Sequence, residues 1–180
     1  NQNIGLAAPS LSEPMGTDSL GRSLLWRCLL GGAISLAIGT AAAVIAIVIG
    51  VSWGAVAGYA GGRLDALLMR IVDVLYGLPY VLLVVLVDLA AKPSMEKLAS
   101  TALPADIAAG VADVVTLLIA IGGVSWLTMA RVIRGQVLSL RTQPFTEAAR
   151  ASGAGTIRVI VTHMLPNLAG PIAVYATLTI

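Results

Sequence analysis

The sequence predicts an all-α membrane protein, a polytopic helical bundle, and three observations lead to this class. Of the 180 residues, 58% are hydrophobic and only 11% are charged, whereas soluble domains carry roughly 25% charged residues. Residues 28–62 contain no charged side chain, and about 20 apolar residues suffice to cross a bilayer as a helix. Further apolar runs follow, separated by short polar stretches.

Composition also excludes several functions. The net charge of +2 and the 4% of aromatic residues offer neither the positive field nor the stacking surface that nucleic-acid binding needs. Cys28 is the single cysteine, so an internal disulfide and a cysteine metal cluster are both excluded.

The first element is a polar loop, residues 1–22, in which Thr17, Asp18 and Ser19 favour the start of a helix. The first span is expected within residues 29–59. Small residues recur there at every fourth position, which places them on one helix face: Ala42, Ala46, Gly50, Gly54 and Gly58. Such faces let membrane helices approach closely, so we expect this one to pack on another helix of this subunit or of a partner.

A turn is expected at residues 61–65, followed by a second span at about residues 71–91. Asp73 and Asp88 would lie at the two membrane edges, and Pro79 inside the span should kink it. Residues 92–113 are then expected to form a polar connection, and residues 114–130 a third span.

The last apolar run, residues 168–180, begins another span. As a helix it is about 20 Å long, short of the roughly 30 Å hydrocarbon core. Because the sequence also starts without methionine, we expect a piece of a longer protein, with a truncated transmembrane domain at residues 23–180.

Arginine distribution predicts the orientation of the spans. Residues 131–166 hold one acid, Glu147, against five arginines, and such an excess marks cytoplasmic loops. Alternation of the spans then puts residues 1–22 and 92–113 outside the cell. Arg131, Arg134 and Arg141 share a narrow sector of one helix. They either bind lipid headgroups or anchor the helix end, and we favour the anchor.

Within this predicted cytoplasmic loop, Pro144 suits the first turn of a short helix, with Thr146 or a nearby residue as its candidate cap. Ala148 and Ala149 give that helix a small surface that fits a groove in another protein. Gly153 and Gly155 would let the chain reverse. A second, amphipathic helix is indicated by the spacing of Ile157, Ile160, Val161 and Met164, and Pro166 should end it.

The spacing of Glu147-Ala148-Ala149, Gly153 and Leu165-Pro166 resembles the EAA loop of permease subunits in bacterial binding-protein-dependent ABC importers. Residues 16–22, 58–65, 69–73 and 134–141 also resemble the dipeptide, oligopeptide and nickel branch of that superfamily, and specifically its C-type subunit. His163 stands where the general pattern has isoleucine, as in that branch. We interpret His163 as a structural residue and not as a metal ligand.

The resemblance implies a family fold of six spans, of which this sequence would hold the second, third and fourth and the start of the fifth. It implies that Glu147, Ala148, Ala149, Gly153, Leu165 and Pro166 couple the subunit to an ATPase. Expected partners are ATPase subunits, a second homologous permease subunit, an external substrate-binding protein and the lipid of the bacterial inner membrane. The chain itself would be no enzyme and hold no cofactor. ATP and Mg²⁺ would bind the ATPase, since no Gly-x-x-x-x-Gly-Lys-Ser/Thr motif occurs here.

Several readings stay open. The cargo could be a peptide, nickel or another small solute, because cargo choice rests largely with the binding protein. A membrane enzyme such as an intramembrane protease would need a nucleophile and base, or metal ligands, inside the spans. An ATP-independent channel or scaffold would share the helices but does not explain the spacing from Glu147 to Pro166.

Overall fold

A computed structural model of the chain describes residues 6–102 and 104–179. Helices account for nearly all of this part, and the elements follow one another with short breaks. Their bounds are α1 Leu24–Ala60, α2 Gly62–Tyr76, α3 Tyr80–Ala102, α4 Ala105–Arg141, α5 Pro144–Ala151, α6 Thr156–Arg158, a π-helical segment Val159–Met164, and α7 Leu165–Thr179.

The predicted fold class is confirmed. Three helical stretches are long and apolar enough to cross a membrane: Leu24–Ala60, Ile107–Arg141 and Thr156–Thr179. The pair α2 and α3 passes the same test together but bends by 95° at its break. The described residues therefore form three spans, or four if the bent pair crosses as one.

The N-terminal unit, of which residues 6–39 are described, begins with an irregular segment. The expected helix start at Thr17–Ser19 is wrong, because α1 begins only at Leu24. Instead, one carboxylate oxygen of Asp18 accepts hydrogen bonds from the backbone amides of Leu20 and Arg22, both at 2.9 Å. The other carboxylate oxygen forms an ion pair with Arg27. These contacts, with the Arg22 hydrogen bond foremost, lower the pKa of the Asp18 carboxyl. Asp18 thus closes a turn that precedes the helix.

The predicted turn at residues 61–65 is shorter than expected. Gly61 and Gly62 take φ of 65° and 58°, a region that glycine alone enters freely. The chain has already reversed when α2 begins at Gly62, so Arg63 and Asp65 lie in the first turn of that helix.

The second predicted span is two helices and not one kinked helix. Gly77, Leu78 and Pro79 separate α2 from α3, and the axis turns by 95° between them. Proline lacks an amide hydrogen and disfavours helical dihedrals at the residue before it, so the chain breaks at this point.

The polar connection expected at residues 92–113 is also wrong. α3 continues to Ala102 through Pro93, and α4 begins at Ala105. The Lys92 ammonium pairs with the Asp113 carboxylate at 2.9 Å, and Ala99, Ala108 and Ala112 form a small buried cluster. Paired charges and alanine packing therefore extend the two helices beyond the apolar spans.

In the unit that begins at Thr40, the C-terminal part of α1 packs on α4. The Trp53 and Trp126 rings meet edge to face with centroids 5.1 Å apart, and the Trp53 indole N–H donates to the Leu68 carbonyl at 3.2 Å. A first buried cluster surrounds these contacts. A second joins α1 and α4 to the C-terminal elements: Val51, Ala55, Met129, Ile133, Val137, Val159, Met164 and Leu168. This second cluster also contacts α5.

Candidate functional site

The small-residue face of α1 lies against α4. Ala42, Ala46, Gly50, Gly54 and Gly58 are all buried. A Cβ added to Gly50 would come 2.5 Å from the Cβ of Met129, and one added to Gly58 would come 2.9 Å from the Arg134 carbonyl. Real Cβ atoms essentially never come closer than 3.0 Å to such neighbours, so these positions accept only glycine at the present helix spacing.

Two ion pairs tie α4 to α2. The Arg134 guanidinium holds Asp65 through two hydrogen bonds of 2.6 and 2.7 Å, and Asp65 is only 8% exposed. Arg131 pairs with Asp73 at 2.7 Å and lies 3.9 Å from the centre of the Tyr76 ring. Arg131 and Arg134 therefore anchor α4 within the protein. Arg141 has different surroundings, considered below.

The linking segment, residues 142–164, runs from α4 to α7 and contains α5. Helix α5 begins at Pro144, as the sequence predicted. The expected role of Thr146 as its cap is wrong, because Gln143 occupies the cap position and makes no side-chain cap bond. Thr146 is fully buried and donates its hydroxyl to the Leu140 carbonyl at 2.8 Å. Thr146 therefore fastens α5 to the end of α4.

Helix α5 ends in a Schellman motif around Gly153. The Ala154 amide donates to the Ala149 carbonyl, and the Gly153 amide donates to the Arg150 carbonyl, both at 3.0 Å. This motif needs a left-handed residue at its turn, and Gly153 supplies it with φ of 81°. Gly155 was expected to share this role, but its φ of −68° is open to any residue.

Helix α6 and the π-helical segment follow, and here the predicted amphipathic face is confirmed for Met164 and the half-buried Ile160 but is wrong for Ile157 and Val161. Ile157 and Val161 are 78% and 55% exposed, whereas Val159 and Met164 are fully buried. A π-helix bonds residues five apart, so Val159 and Met164 share a face that an α-helical period does not predict. The inner side of the segment therefore differs from the one that the sequence indicates.

Pro166 does not end a helix, contrary to expectation. It is the second residue of α7, which runs on to Thr179. Amides in the first turn of a helix have no partner within that helix, so proline is tolerated there. The widened turns of the preceding π-helical segment let the chain enter α7 without a break.

The predicted site residues divide into two groups. Glu147, Ala148, Gly153 and Pro166 are exposed, whereas Ala149 and Leu165 are half-buried against the second cluster. Helix α5 thus has an inner side, with Thr146 and Ala149, and an outer side, with Glu147, Ala148 and the partly exposed Phe145. Sequence reasoning missed Thr146 and Val159 as anchoring residues. For Val159, the sequence signal that could have identified it was its spacing of five residues from Met164.

The described residues contain no group of three histidine, cysteine, aspartate or glutamate side chains placed to hold a metal ion. The His163 carbonyl accepts a hydrogen bond from the side-chain Nδ2 of Asn167 at 2.7 Å. This bond spans the junction between the π-helical segment and α7.

Comparison with known families decides the identity of the chain. The family described as "Binding-protein-dependent transport system inner membrane component" matches residues 46–180. The chain belongs to this family. It is therefore a multi-pass protein of the bacterial inner membrane, as the sequence predicted, and its apolar helices are the spans of an inner membrane component.

Curated relatives of this family member are permease proteins of dipeptide and oligopeptide transport systems. It is 40% identical over 172 residues to the dipeptide transport system permease protein DppC of Bacillus subtilis, covering 96% of this chain and 48% of that protein. It is 38% identical over 181 residues to the oligopeptide transport system permease protein OppC of Haemophilus influenzae, covering 99% of this chain and 52% of that protein. The chain spans about half the length of the curated relatives it matches.

Proposed function

We propose that this chain is part of the membrane permease subunit of an ATP-driven peptide importer, and that α5 couples it to a separate ATPase. The peptide cargo follows from relatives that carry dipeptide and oligopeptide permease names. A second homologous permease subunit completes the pathway, and an external binding protein delivers the cargo. Nickel or another small solute is the alternative cargo for the same machine.

One observation carries the coupling role, namely the two-sided placement of α5. Its outer side presents Glu147 and Ala148, beside the partly exposed ring of Phe145. A short helix with small and apolar outer residues fits a groove in a partner. Its inner side is fastened to α4 through Thr146. A displacement of α5 by a partner therefore reaches a membrane span directly.

ATP hydrolysis belongs to the partner in this proposal. The chain contributes no phosphate-cradling loop, and Glu147 is the one acid of residues 131–166. A lone exposed carboxylate at the start of α5 is suited to pair with a basic side chain of the ATPase. The permease then acts by transmitting movement, and the nucleotide and its Mg²⁺ stay on the ATPase.

Cysteine crosslinking between two proteins tests the coupling role. In the full-length subunit with Cys28 replaced by alanine, Ala148→Cys is expected to crosslink to the cognate ATPase, with a yield that changes when ATP is added. The neighbouring Ala149→Cys is the matched control. It is half-buried on the inner side, so we expect a clearly lower yield.

Absence of a crosslink from Ala148→Cys in a properly inserted subunit would count against the proposal and favour an ATP-independent channel or scaffold. Equal yields from both cysteines would show that α5 does not present one side to the ATPase. Transport assays with labelled dipeptides, oligopeptides and Ni²⁺ in the same strain then separate the cargo alternatives.

A further inference from the structure

The arginines at residues 131–150 fall into two sets. Arg131 and Arg134 pair with acids of α2 at 2.7 and 2.6 Å. Arg141 and Arg150 form no ion pair with any acid in the part of the chain that the structure describes, and both line one cavity. The positive charge left over from α4 and α5 is therefore concentrated at this cavity.

The cavity has a volume of about 490 Å³. It lies between the ends of two spans and the linking segment, and its wall includes Tyr59, Ala60, Arg141, Arg150, Gly155 and Thr156. The Arg141 guanidinium is held beside the turn after α1, since a Cβ added to Gly61 would come 2.5 Å from its Nη1. Glycine at residue 61 thus leaves room for the cationic group.

The position of the cavity indicates what fills it. Helix α1 ends at Ala60, and the span Ile107–Arg141 ends at Arg141, so the cavity lies at the adjoining ends of two long apolar helices. Tyrosine is enriched where a span meets the membrane–water interface, and Tyr59, at the expected end of the first span, lies in the wall. Basic pockets between spans on the cytoplasmic side bind anionic lipid headgroups, and the arginine excess predicts this side to be cytoplasmic.

We propose that this cavity binds a phosphate group, supplied by an anionic phospholipid headgroup or by free phosphate. Guanidinium groups match phosphate oxygens with paired hydrogen bonds, and Arg141 and Arg150 provide two of them. Tyr59 and Thr156 also line the cavity, and each carries a hydroxyl that can donate a hydrogen bond. A bound phosphate would join the ends of α1 and α4 to α5.

Native mass spectrometry of the full transporter in lipid nanodiscs tests the site. Nanodiscs of phosphatidylcholine with increasing phosphatidylglycerol measure how much anionic lipid stays bound. At roughly 1 kcal/mol for each basic residue, Arg141→Gln and Arg150→Gln should each weaken retention about fivefold, and the double variant about thirtyfold. Arg158→Gln is the matched control, because Arg158 is exposed and does not line the cavity.

A second variant tests the cavity without removing charge. Gly155 has a φ open to any residue, and a Cβ there would meet nothing within 4 Å, so Gly155→Leu adds an apolar side chain at the cavity wall and keeps both arginines. It should reduce lipid retention as the arginine variants do. Retention unchanged in Gly155→Leu, or lost equally in Arg158→Gln, overturns the proposal.

Inorganic phosphate added to transporter in pure phosphatidylcholine nanodiscs distinguishes the two sources. Retention of phosphatidylglycerol without measurable phosphate binding assigns the site to the lipid headgroup. Phosphate binding that Arg141→Gln abolishes assigns it to the free ion. Binding of neither by the wild-type transporter overturns the site.

Discussion

At the scale of single residues, Gly153 has the most specific backbone requirement of the linking segment. Its φ of 81° closes the Schellman motif that ends α5. A Cβ at Gly153 would meet no atom within 4 Å, so any effect of a side chain comes from the backbone conformation alone. Left-handed dihedrals cost L-residues about 1–2 kcal/mol, and β-branched side chains adapt least.

We therefore expect Gly153→Val to reduce coupling more than membrane insertion. The turn would open and α5 would lose its direction, while the spans remain intact. Peptide-stimulated ATP hydrolysis by the complete transporter, divided by the amount of inserted subunit, measures this effect. Gly135→Val is the control, because Gly135 lies in α4 without a positive φ and a Cβ there meets nothing within 4 Å. Normal coupling in Gly153→Val would contradict the expectation.

Glu147 is the residue at which charge should matter most. It is exposed in the first turn of α5, where a carboxylate is also favoured by the helix dipole. We expect Glu147→Lys to weaken co-purification of the ATPase, because the reversed charge would repel a basic partner. Glu96→Lys is a matched reversal at an exposed position of α3. Equal ATPase recovery from wild type and Glu147→Lys would refute this role.

At the scale of elements, the contact between α1 and α4 depends on missing side chains. Gly50→Ala would place a Cβ 2.5 Å from Met129 and 2.8 Å from the Trp126 carbonyl. Neither helix can move away without disturbing the other contacts between α1 and α4, and overpacking of this kind costs roughly 1–3 kcal/mol.

The expected result for Gly50→Ala is a lower thermal midpoint of the purified transporter. Gly135→Ala on α4 is the control, since a Cβ there meets nothing within 4 Å and alanine favours the helix. Scanning fluorimetry in one detergent compares the two variants. A midpoint for Gly50→Ala at or above the wild-type value would show that the two helices are not held at this spacing.

Some of these helices were predictable from the sequence and others were not, depending on what determines where each helix begins and ends. The first span was predictable because residues 28–62 carry no charge, and hydropathy alone defines such a helix. The extension of α3 and α4 was not, because Lys92 and Asp113 read as loop residues until their pairing across two helices is seen. The inner face of the linking segment was hidden by the π-helical turns, which shift the period at Val159 and Met164.

At the scale of the whole chain, the second buried cluster connects the proposed coupling helix to the spans. Val159, Met164 and Leu168 pack with residues of α1 and α4, and Ala149 lies against the same cluster. Packed interiors have low compressibility and transmit displacement. A push on α5 would therefore reach three helices together, whereas a flexible loop would absorb it.

Transmission of movement from α5 to the cargo pathway also requires the linking segment to face the cytoplasm, as predicted. Whether it does depends on whether the bent pair α2–α3 crosses the membrane or re-enters on one side. If the pair crosses the membrane, Ser100 lies outside with Ser12, and Ser152 lies inside. If the pair re-enters on one side and Ser12 is outside, Ser100 lies inside with Gly61 and the linking segment faces outward. The serines are all exposed, so Ser12→Cys, Ser100→Cys and Ser152→Cys, each without Cys28, form a matched set. We expect an impermeant maleimide to label the first two in intact cells and the third only after permeabilisation, because the arginine excess predicts a cytoplasmic position for residues 131–166. Labelling of both Ser12→Cys and Ser152→Cys in intact cells, with Ser100→Cys protected, would make α2–α3 a re-entrant pair and separate α5 from any cytoplasmic ATPase.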